Sequence, residues 1–375
     1  MELWEGCSCT AKDGRSRPDG SCLPQPFTRL HNLDVKITGL FDPDTANGYY
    51  RAQLPLAALQ ARGHKVVCHH AGAVLARGYD LPSSDLVFLH RGCYPEHLEL
   101  VRNCAAQAIP VVWDNDDDLA ALPKATRAQN GHSKRTSLGF FKRSVEIARA
   151  ASLMTTSSEE IARIYRELGA PSVQVIENQV AGAEPIGSGS RDRSLVIGYT
   201  GAVEHAEDLR KLKFAKLLDR LLEEHPRVRF VSVGIDLGLQ SPRYHCHGFV
   251  PFRDLATIVR GFDVGIAPLL ETPFNRSRSD IKVKEYAAAG AMWLASPIGP
   301  YRQLGEAHGG QLVADGDWYE ALTRVVEEDA LRDRLTRQAC RWARQQTVRA
   351  TAARWEAAVQ LAVRTTRARA QAARV

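Results

Sequence analysis

Two successive runs of short apolar segments alternating with longer amphipathic ones set the strongest limit on what this chain can fold into. In the first run, "LDVKITGL" (33–40), "KVVCHH" (65–70), "DLVFLHR" (85–91), "PVVWDND" (110–116), "LMTTS" (153–157) and "VQVIEN" (173–178) have strand length and strand composition. Between them, "YRAQLPLAALQARGH", "EHLELVRNCAAQAI", "LGFFKRSVEIARAA" and "SEEIARIYRELG" repeat apolar residues at helical spacing. Strands alternating with helices form mostly parallel sheets covered on both faces. The aperiodic, Gly- and Ser-rich "QVAGAEPIGSGSRDR" interrupts the pattern. It restarts with the strands "SLVIGYTG", "VRFVSVG", a short one at "HGFVP" (247–251), "DVGIAPL" and "MWLAS", with "LRKLKFAKLLDRLLEEH" and "FRDLATIVRGF" as helices among them. The expected fold class is α/β, two tandem Rossmann-like doubly wound domains facing a central cleft at their strand carboxyl ends.

The expected boundaries are an N-terminal extension at 1–32, a first domain at 33–182, a linker at 183–192, a second domain at 193–345, and a helical segment at 346–375 that packs back on the first domain. A chain of 375 residues is longer than one hydrophobic core usually organises, which agrees with two domains. No apolar run approaches twenty residues and no signal-peptide core stands at the start, so a cytoplasmic protein is expected. The net charge of +6 is modest, and the Arg-rich last forty or so residues read as a solvated helical face, with peripheral membrane contact as the alternative and no nucleic-acid partner. Eight cysteines form no CxxC pair. Neither Cys7, Cys9 and Cys22 nor His245-Cys246-His247 has a recognised metal-ligand spacing, and no metal site is expected.

Chemistry concentrates in a few places. In "RSRSDIKVKEYAAAGAMWLAS" (276–296), Ser279 is a candidate N-cap and Gly290 a left-handed stop for a helix at 281–289. Arg276, Arg278, Lys282 and Lys284 crowd the start of that helix, where the macrodipole already favours anions. A phosphate on the free backbone N–H groups makes sense of such a pattern. Glu285 shares the face of Lys282 and suits sugar hydroxyls. In "VVWDNDDDL", Asp114, Asp116, Asp117 and Asp118 stand at a strand end, where carboxylates need solvent, cations or a metal. An acceptor-site or polar-structural role is the favoured reading of Asp114, Asp116 and Asp117, a divalent-cation site the alternative, and Asp118 is a candidate cap for the following segment. His90 and Arg91 end the strand "DLVFLHR" at the same edge.

With the segments laid out, the chain resembles the GT-B glycosyltransferases, and within them the retaining group called glycosyltransferase family four. The most specific part is the ordered series "VIGYTGAVEHAEDL", "HGFVPFRDLATIVRGFDVGIAPL" and "KEYAAAGAMWLASPIGPYR". The resemblance implies that Glu285, the second member of the family's glutamate pair, holds the nucleotide ribose, while the first member falls at Ser277 here. It implies that Gly201 and His205 face the donor and that Gly248, Phe249 and Val250 pass backbone along the base. Gly48 and Arg51 of "TANGYYR" match the family's first-domain glycine loop near the donor phosphates. The family's basic pair after the first strand of this domain is missing, so the diphosphate falls to Arg276, Arg278, Ser279 and Lys282.

The implied activity is transfer of a sugar, with retention, from a nucleoside-diphosphate sugar to a small-molecule or glycan- or lipid-linked acceptor, without a metal or a separate cofactor. The candidate catalytic residues are His90, Arg91, Asp116, Arg276 and Lys282. Two alternatives are an epimerase of the same fold and a non-catalytic nucleotide-sugar-binding protein. An Arg- and Ala-rich composition hints at a high-GC bacterium, whose natural-product biosynthesis or cell envelope would supply the acceptor.

Overall fold

The structure, a computed structural model, describes residues 34–72, 83–183 and 194–372. The 1–32 extension with Cys7, Cys9 and Cys22, and nearly all of the 183–192 linker, lie outside the described residues.

Six parallel strands make the first sheet: β1 (Lys36–Phe41), β2 (Lys65–His70), β3 (Leu86–His90), β4 (Val111–Asp114), β5 (Leu153–Thr156) and β6 (Val173–Val175), in the order β2-β1-β3-β4-β5-β6. A second parallel sheet holds β7 (Leu195–Thr200), β8 (Val228–Val233), β9 (Tyr244–Cys246), β10 (Val264–Ala267), β11 (Met292–Ala295) and β12 (Gly310–Leu312), ordered β12-β11-β10-β7-β8-β9. The second order is that of a Rossmann sheet, and the strand order reverses beside β1 in one sheet and beside β7 in the other. Such switch points leave a crevice at the strand carboxyl ends, because the flanking connections run to opposite faces.

The central strands β3, β4, β10 and β11 are buried along their whole length, as apolar strands in doubly covered sheets must be. The C-terminal helix Val348–Ala372 places Trp355, Ala358, Val359 and Ala362 in one core cluster with Ile37, Phe41, Phe88 and Val112 of the first sheet. Ser152 and Thr366 hydroxyls bond at 2.7 Å on the same contact. Each large apolar side chain buried this way contributes about 1.5–3 kcal/mol. The preceding helix Asp329–Gln345 packs Ala339, Trp342 and Ala343 into a cluster of the second sheet. Among the described residues, no helix is long and apolar enough to cross a membrane.

Three local expectations are corrected. The short strand expected at 247–251 lies earlier, at Tyr244–Cys246, where Tyr244 pairs with Phe230 of β8. The single helix expected through "LRKLKFAKLLDRLLEEH" is broken by Lys213 in the left-handed region (φ 55°), giving helices Ala206–Lys211 and Phe214–Glu224. The break re-phases the apolar stripe, so that Leu209 and Phe214 both reach the second-sheet core. The helix Ile281–Ala288 is entered through Asp280, whose carboxylate pairs with Lys284 at 2.9 Å, and Ser279 makes no cap bond to it. Gly290 does take the left-handed stop, at φ 89°.

Candidate functional site

At the carboxyl edge of the first sheet, the register sets His90 of β3 opposite Asp114 of β4, and Asp114 opposite Thr155 of β5. Asp114 accepts from His90 Nδ1 (2.9 Å), Arg51 Nε (3.1 Å) and Nη2 (2.6 Å), and the Thr155 hydroxyl (2.6 Å). Burial opposes its charge, but Arg51 and His90 outweigh burial and hold the carboxyl below its usual range. Arg51 also donates to the Ile176 carbonyl (2.5 Å) and to Asn178 Oδ1 (3.0 Å), and is fully buried. Its guanidinium is therefore spent on joining β4 to the segment after β6. Arg51, which the sequence set near the donor phosphates, thus turns its guanidinium inward onto Asp114, Ile176 and Asn178. Gly48 is required by packing as well, since a Cβ there would stand 1.8 Å from the Asp42 carbonyl.

Beyond β3, Arg91 adopts a left-handed backbone (φ 58°), rare for a branched-free but bulky side chain. Its guanidinium pairs with Asp116 (2.9 Å) and Asp117 (2.5 Å). In the amide orientation that satisfies both partners, Asn47 donates to Asp116 Oδ2 (3.2 Å) and accepts from Arg91. Burial works against the Asp116 charge, yet Arg91, His90 and Arg51 bring its pKa down to about 2. Asp118 accepts from the backbone of Ala120 (3.0 Å) and Ala121 (3.3 Å), the capping role read from the sequence. Among the described residues, no group of three His, Cys, Asp or Glu side chains is arranged to hold a metal ion.

The second sheet contributes the helix Ile281–Ala288 and the loop after β7. The Lys282 ammonium is shielded from solvent, makes no hydrogen bond, and sits 4.6 Å from the centre of the Tyr199 ring. Burial and neighbouring Arg278 lower its pKa to about 8. Glu285 is raised to about 7 by burial, against the pull of its bond from Tyr50 and of Lys282. The Lys282 charge beside it is thus not enough to hold this carboxyl in the ordinary carboxylate range. His205 is buried, its Nδ1 3.3 Å from Asp208, and burial with the Lys282 and Arg278 charges keeps it neutral, well below the usual histidine range.

Several contacts bring the two edges together. The Tyr50 hydroxyl donates to Glu285 Oε1. Arg278 pairs with Asp117 (3.1 Å) and reaches Glu204 (3.7 Å). Ser158 Oγ donates to the carbonyl of Ser277 (2.8 Å), and Asn178 Nδ2 donates to Ser279 Oγ (3.1 Å). Ser277, where the first glutamate of the pair is absent, thus serves the junction between the sheets, and Lys284 does the same by donating to the Asn178 carbonyl (2.9 Å). Arg276 is 41% exposed in its side chain, paired with Glu271 at 2.9 Å and within 4.0 Å of Glu160 at the rim of the junction. Gly201 follows β7 and bonds to Val233 of β8, whereas Phe249, between Gly248 and Val250, is 90% exposed.

Lys282, Glu285, His90, Arg91, Asp116 and His205 therefore line the facing edges, while Arg51 supports them from behind. Tyr50, Asn47 and Glu204 were not among the residues singled out from the sequence. Tyr50 lies between Gly48 and Arg51 in "TANGYYR", and its partner is 235 positions away. No local pattern announces such a contact.

No protein-family model matches the chain, and no curated protein matches it. Solved structures do. Anabaena Alr3699/HepE in complex with UDP and glucose is similar with a TM-score of 0.61 at 15% identity, over 87% of this chain and 99% of that one. WaaG, a glycosyltransferase involved in lipopolysaccharide biosynthesis, is similar at 0.56 and 14%, over 85% and 98%. A Listeria monocytogenes protein assigned as a UDP-N-acetylglucosamine 2-epimerase is similar at 0.53 and 11%, over 88% and 96%. With two parallel six-stranded sheets whose carboxyl edges meet, the chain has the GT-B fold that these proteins share.

Proposed function

We propose that the chain is a retaining glycosyltransferase that moves a sugar from a nucleoside-diphosphate sugar to a small-molecule or glycan- or lipid-linked acceptor. The observation that carries this reading is Lys282: an ammonium shielded from water, without a hydrogen-bond partner, one residue into the helix Ile281–Ala288. A buried, unsatisfied cation is costly, and a diphosphate on the helix N-terminus supplies what it lacks. Arg278, already at this edge, adds a second cation. Glu285, ionised, accepts from ribose hydroxyls.

In this reading the cations stabilise charge that develops on the departing diphosphate. The acceptor oxygen attacks the anomeric carbon from the face the diphosphate leaves, and a diphosphate oxygen takes the acceptor proton. The transition state is oxocarbenium-like, and no protein nucleophile is needed. His90, Arg91 and Asp116 lie across the junction and orient the acceptor. HepE was solved with UDP and glucose, which supports a uridine nucleotide as the first donor to test.

The test is a thermal-shift panel of UDP, GDP, ADP and dTDP with their glucose conjugates, since a ligand that binds only the folded chain raises its melting temperature. The selected donor is then incubated with acceptors, and products are read by NMR. A glycoside with the donor's anomeric configuration supports the proposal. Release of a free epimer establishes the epimerase alternative, and binding without turnover makes the chain a nucleotide-sugar-binding protein.

A further inference from the structure

Between Asp118 and Glu146 the chain has no acidic residue, yet it carries six cations: Lys124, Arg127, Lys134, Arg135, Lys142 and Arg143. The run forms the helix Lys124–Gln129 and the first half of the helix Lys134–Ala150. Lys124, Lys134, Arg135 and Lys142 are exposed, and none of the six forms an ion pair among the described residues. Arg127 and Arg143 are held instead by the backbone carbonyls of Leu122 and Cys93. Other surface helices balance their charge along themselves: Arg163 with Glu160 and Glu167, Lys211 with Glu207, Arg220 with Glu224, and Arg324 with Glu328. The basic run lacks that internal balance.

Acids on the packed neighbours do not cancel it. The helix Pro95–Ala106, against Lys134–Ala150, adds Glu96 and Glu99, while its Arg102 is matched by Glu146 at 3.0 Å. With the buried Asp118 at the start of the run counted as well, three positive charges remain in excess. Glu204, beside the helix Lys124–Gln129, is met by Arg278, and Glu159, Glu160 and Glu167 on the helix after β5 are met by Arg163 and Arg166. Lys134 and Arg135 stand in a first helical turn, where the dipole disfavours cations, so they do not serve the helix's own stability. An apolar side chain interrupts the basic face: Lys134, Arg135, Leu138, Gly139 and Lys142 line one open groove, with Leu138 37% exposed. On another flank of the same helix, Tyr94 is 43% exposed and meets Phe140 edge-on at 5.5 Å.

Cations without acidic partners around an exposed leucine match a surface that is anionic outside and apolar beneath. A nucleic acid would use the charges but offer Leu138 nothing apolar. We propose that this face docks on an anionic phospholipid bilayer, with Lys134, Arg135 and Lys142 on headgroup phosphates and Leu138 at the boundary with the acyl chains. The basic run starts directly after Asp118, and Arg143 is tied to the loop after β3 that carries Arg91. A docked chain thus holds the edge of the first sheet beside the headgroup layer. The Arg-rich end of the C-terminal helix is a separate surface, since Arg369 donates to the Ala151 carbonyl at the opposite end of Lys134–Ala150, about 25 Å along that helix. Docking of this kind does not depend on the transferase reading.

The experiment is co-sedimentation of the full chain, without nucleotide, with vesicles of phosphatidylcholine alone or with about one third phosphatidylglycerol. Binding to the anionic vesicles should be at least about tenfold tighter, and about 1 M NaCl, where the Debye length is about 3 Å, should remove most of it. Lys134→Gln with Arg135→Gln should weaken that binding roughly 25-fold, from about fivefold per cation, and Leu138→Ser about threefold. These positions are exposed; if the double variant does not fold, Lys142→Gln takes its place, with a loss of about fivefold. Arg364→Gln with Arg367→Gln, on the C-terminal helix, should change binding less than about threefold. Equal binding to both vesicle types, no binding to either, or unchanged affinity of the Lys134 and Arg135 variant overturns the inference. So does loss of binding through the C-terminal pair alone, which moves the contact to the tail, or capture of duplex DNA without vesicle binding, which makes nucleic acid the partner. Nucleotide binding is scored separately by thermal shift. A chain that binds anionic vesicles but no nucleotide keeps this contact and loses the transferase reading, and one that binds nucleotide but no vesicle does the reverse.

Discussion

The phenol of Tyr50, five residues beyond the Thr45 cap of the β1 loop, donates its hydrogen bond to Glu285 on the first turns of a helix in the other half of the fold. One carboxyl thereby couples the two sheets and the candidate nucleotide site. Burial raises its pKa to about 7, and the Tyr50 bond and Lys282 keep it from rising further.

This gives a pH-dependent stability. Below the unfolded value near 4.5 the carboxyl is protonated in both states and contributes no penalty. Between there and about 7 the unfolded chain ionises while the folded one resists, so stability falls as pH rises, and above 7 the loss is complete. Glu285→Gln keeps the acceptor for Tyr50 and removes the charge. It should match the wild type at pH 4.5 and exceed it at pH 8 by roughly 1–2 kcal/mol in urea unfolding, a discounted figure for a partly solvated group.

The same substitution should weaken ribonucleotide binding above pH 7. If Glu285 accepts from the ribose, a 2′- or 3′-deoxy nucleotide should bind the wild type poorly and lose far less further affinity in Glu285→Gln, because both changes remove one interaction. Losses that simply add, measured by calorimetry, would take Glu285 off the ribose.

Arg51 is expected to act on folding. Arg51→Met strands Asp114 in a dry site, and breaking a buried pair of this kind costs about 3–5 kcal/mol. Denaturant unfolding should show that loss, while nucleotide affinity of the fraction that remains folded should change less than about threefold.

The acidic edge should work without a metal ion in the proposed reaction. Donor turnover is expected to survive EDTA, and Asp116→Asn should raise the acceptor KM more than the donor KM. Loss of turnover in EDTA with recovery on adding Mg²⁺ or Mn²⁺ would instead assign Asp116 and Asp117 to a cation.

Most of the architecture was legible because it rests on periodicity: apolar runs such as "VVWD" and "MWLA" can be buried only inside a covered sheet. The helix break at Lys213 was not, since a single left-handed residue leaves the apolar spacing on each side helical. The basic turn at 276–284 was recognised as a cluster, but its members divide by tertiary surroundings. Lys284 closes on Asp280, Arg276 on Glu271 and Arg278 on Asp117, leaving the Lys282 ammonium without a hydrogen bond. Arg51 looked like a phosphate ligand beside a glycine because sequence gives no sign of the Asp114 and Asn178 side chains that enclose it.

If Lys282 takes up a diphosphate, calorimetry of a nucleoside diphosphate and its monophosphate on three proteins will show it. The wild type should favour the diphosphate. In Lys282→Met that advantage should shrink by about 10-fold to 150-fold, the equivalent of a charge-assisted contact of about 1.5–3 kcal/mol, whereas Arg276→Ala, exposed and held by Glu271, should lose less than about threefold. An undiminished preference for the diphosphate in Lys282→Met would take Lys282 off the diphosphate.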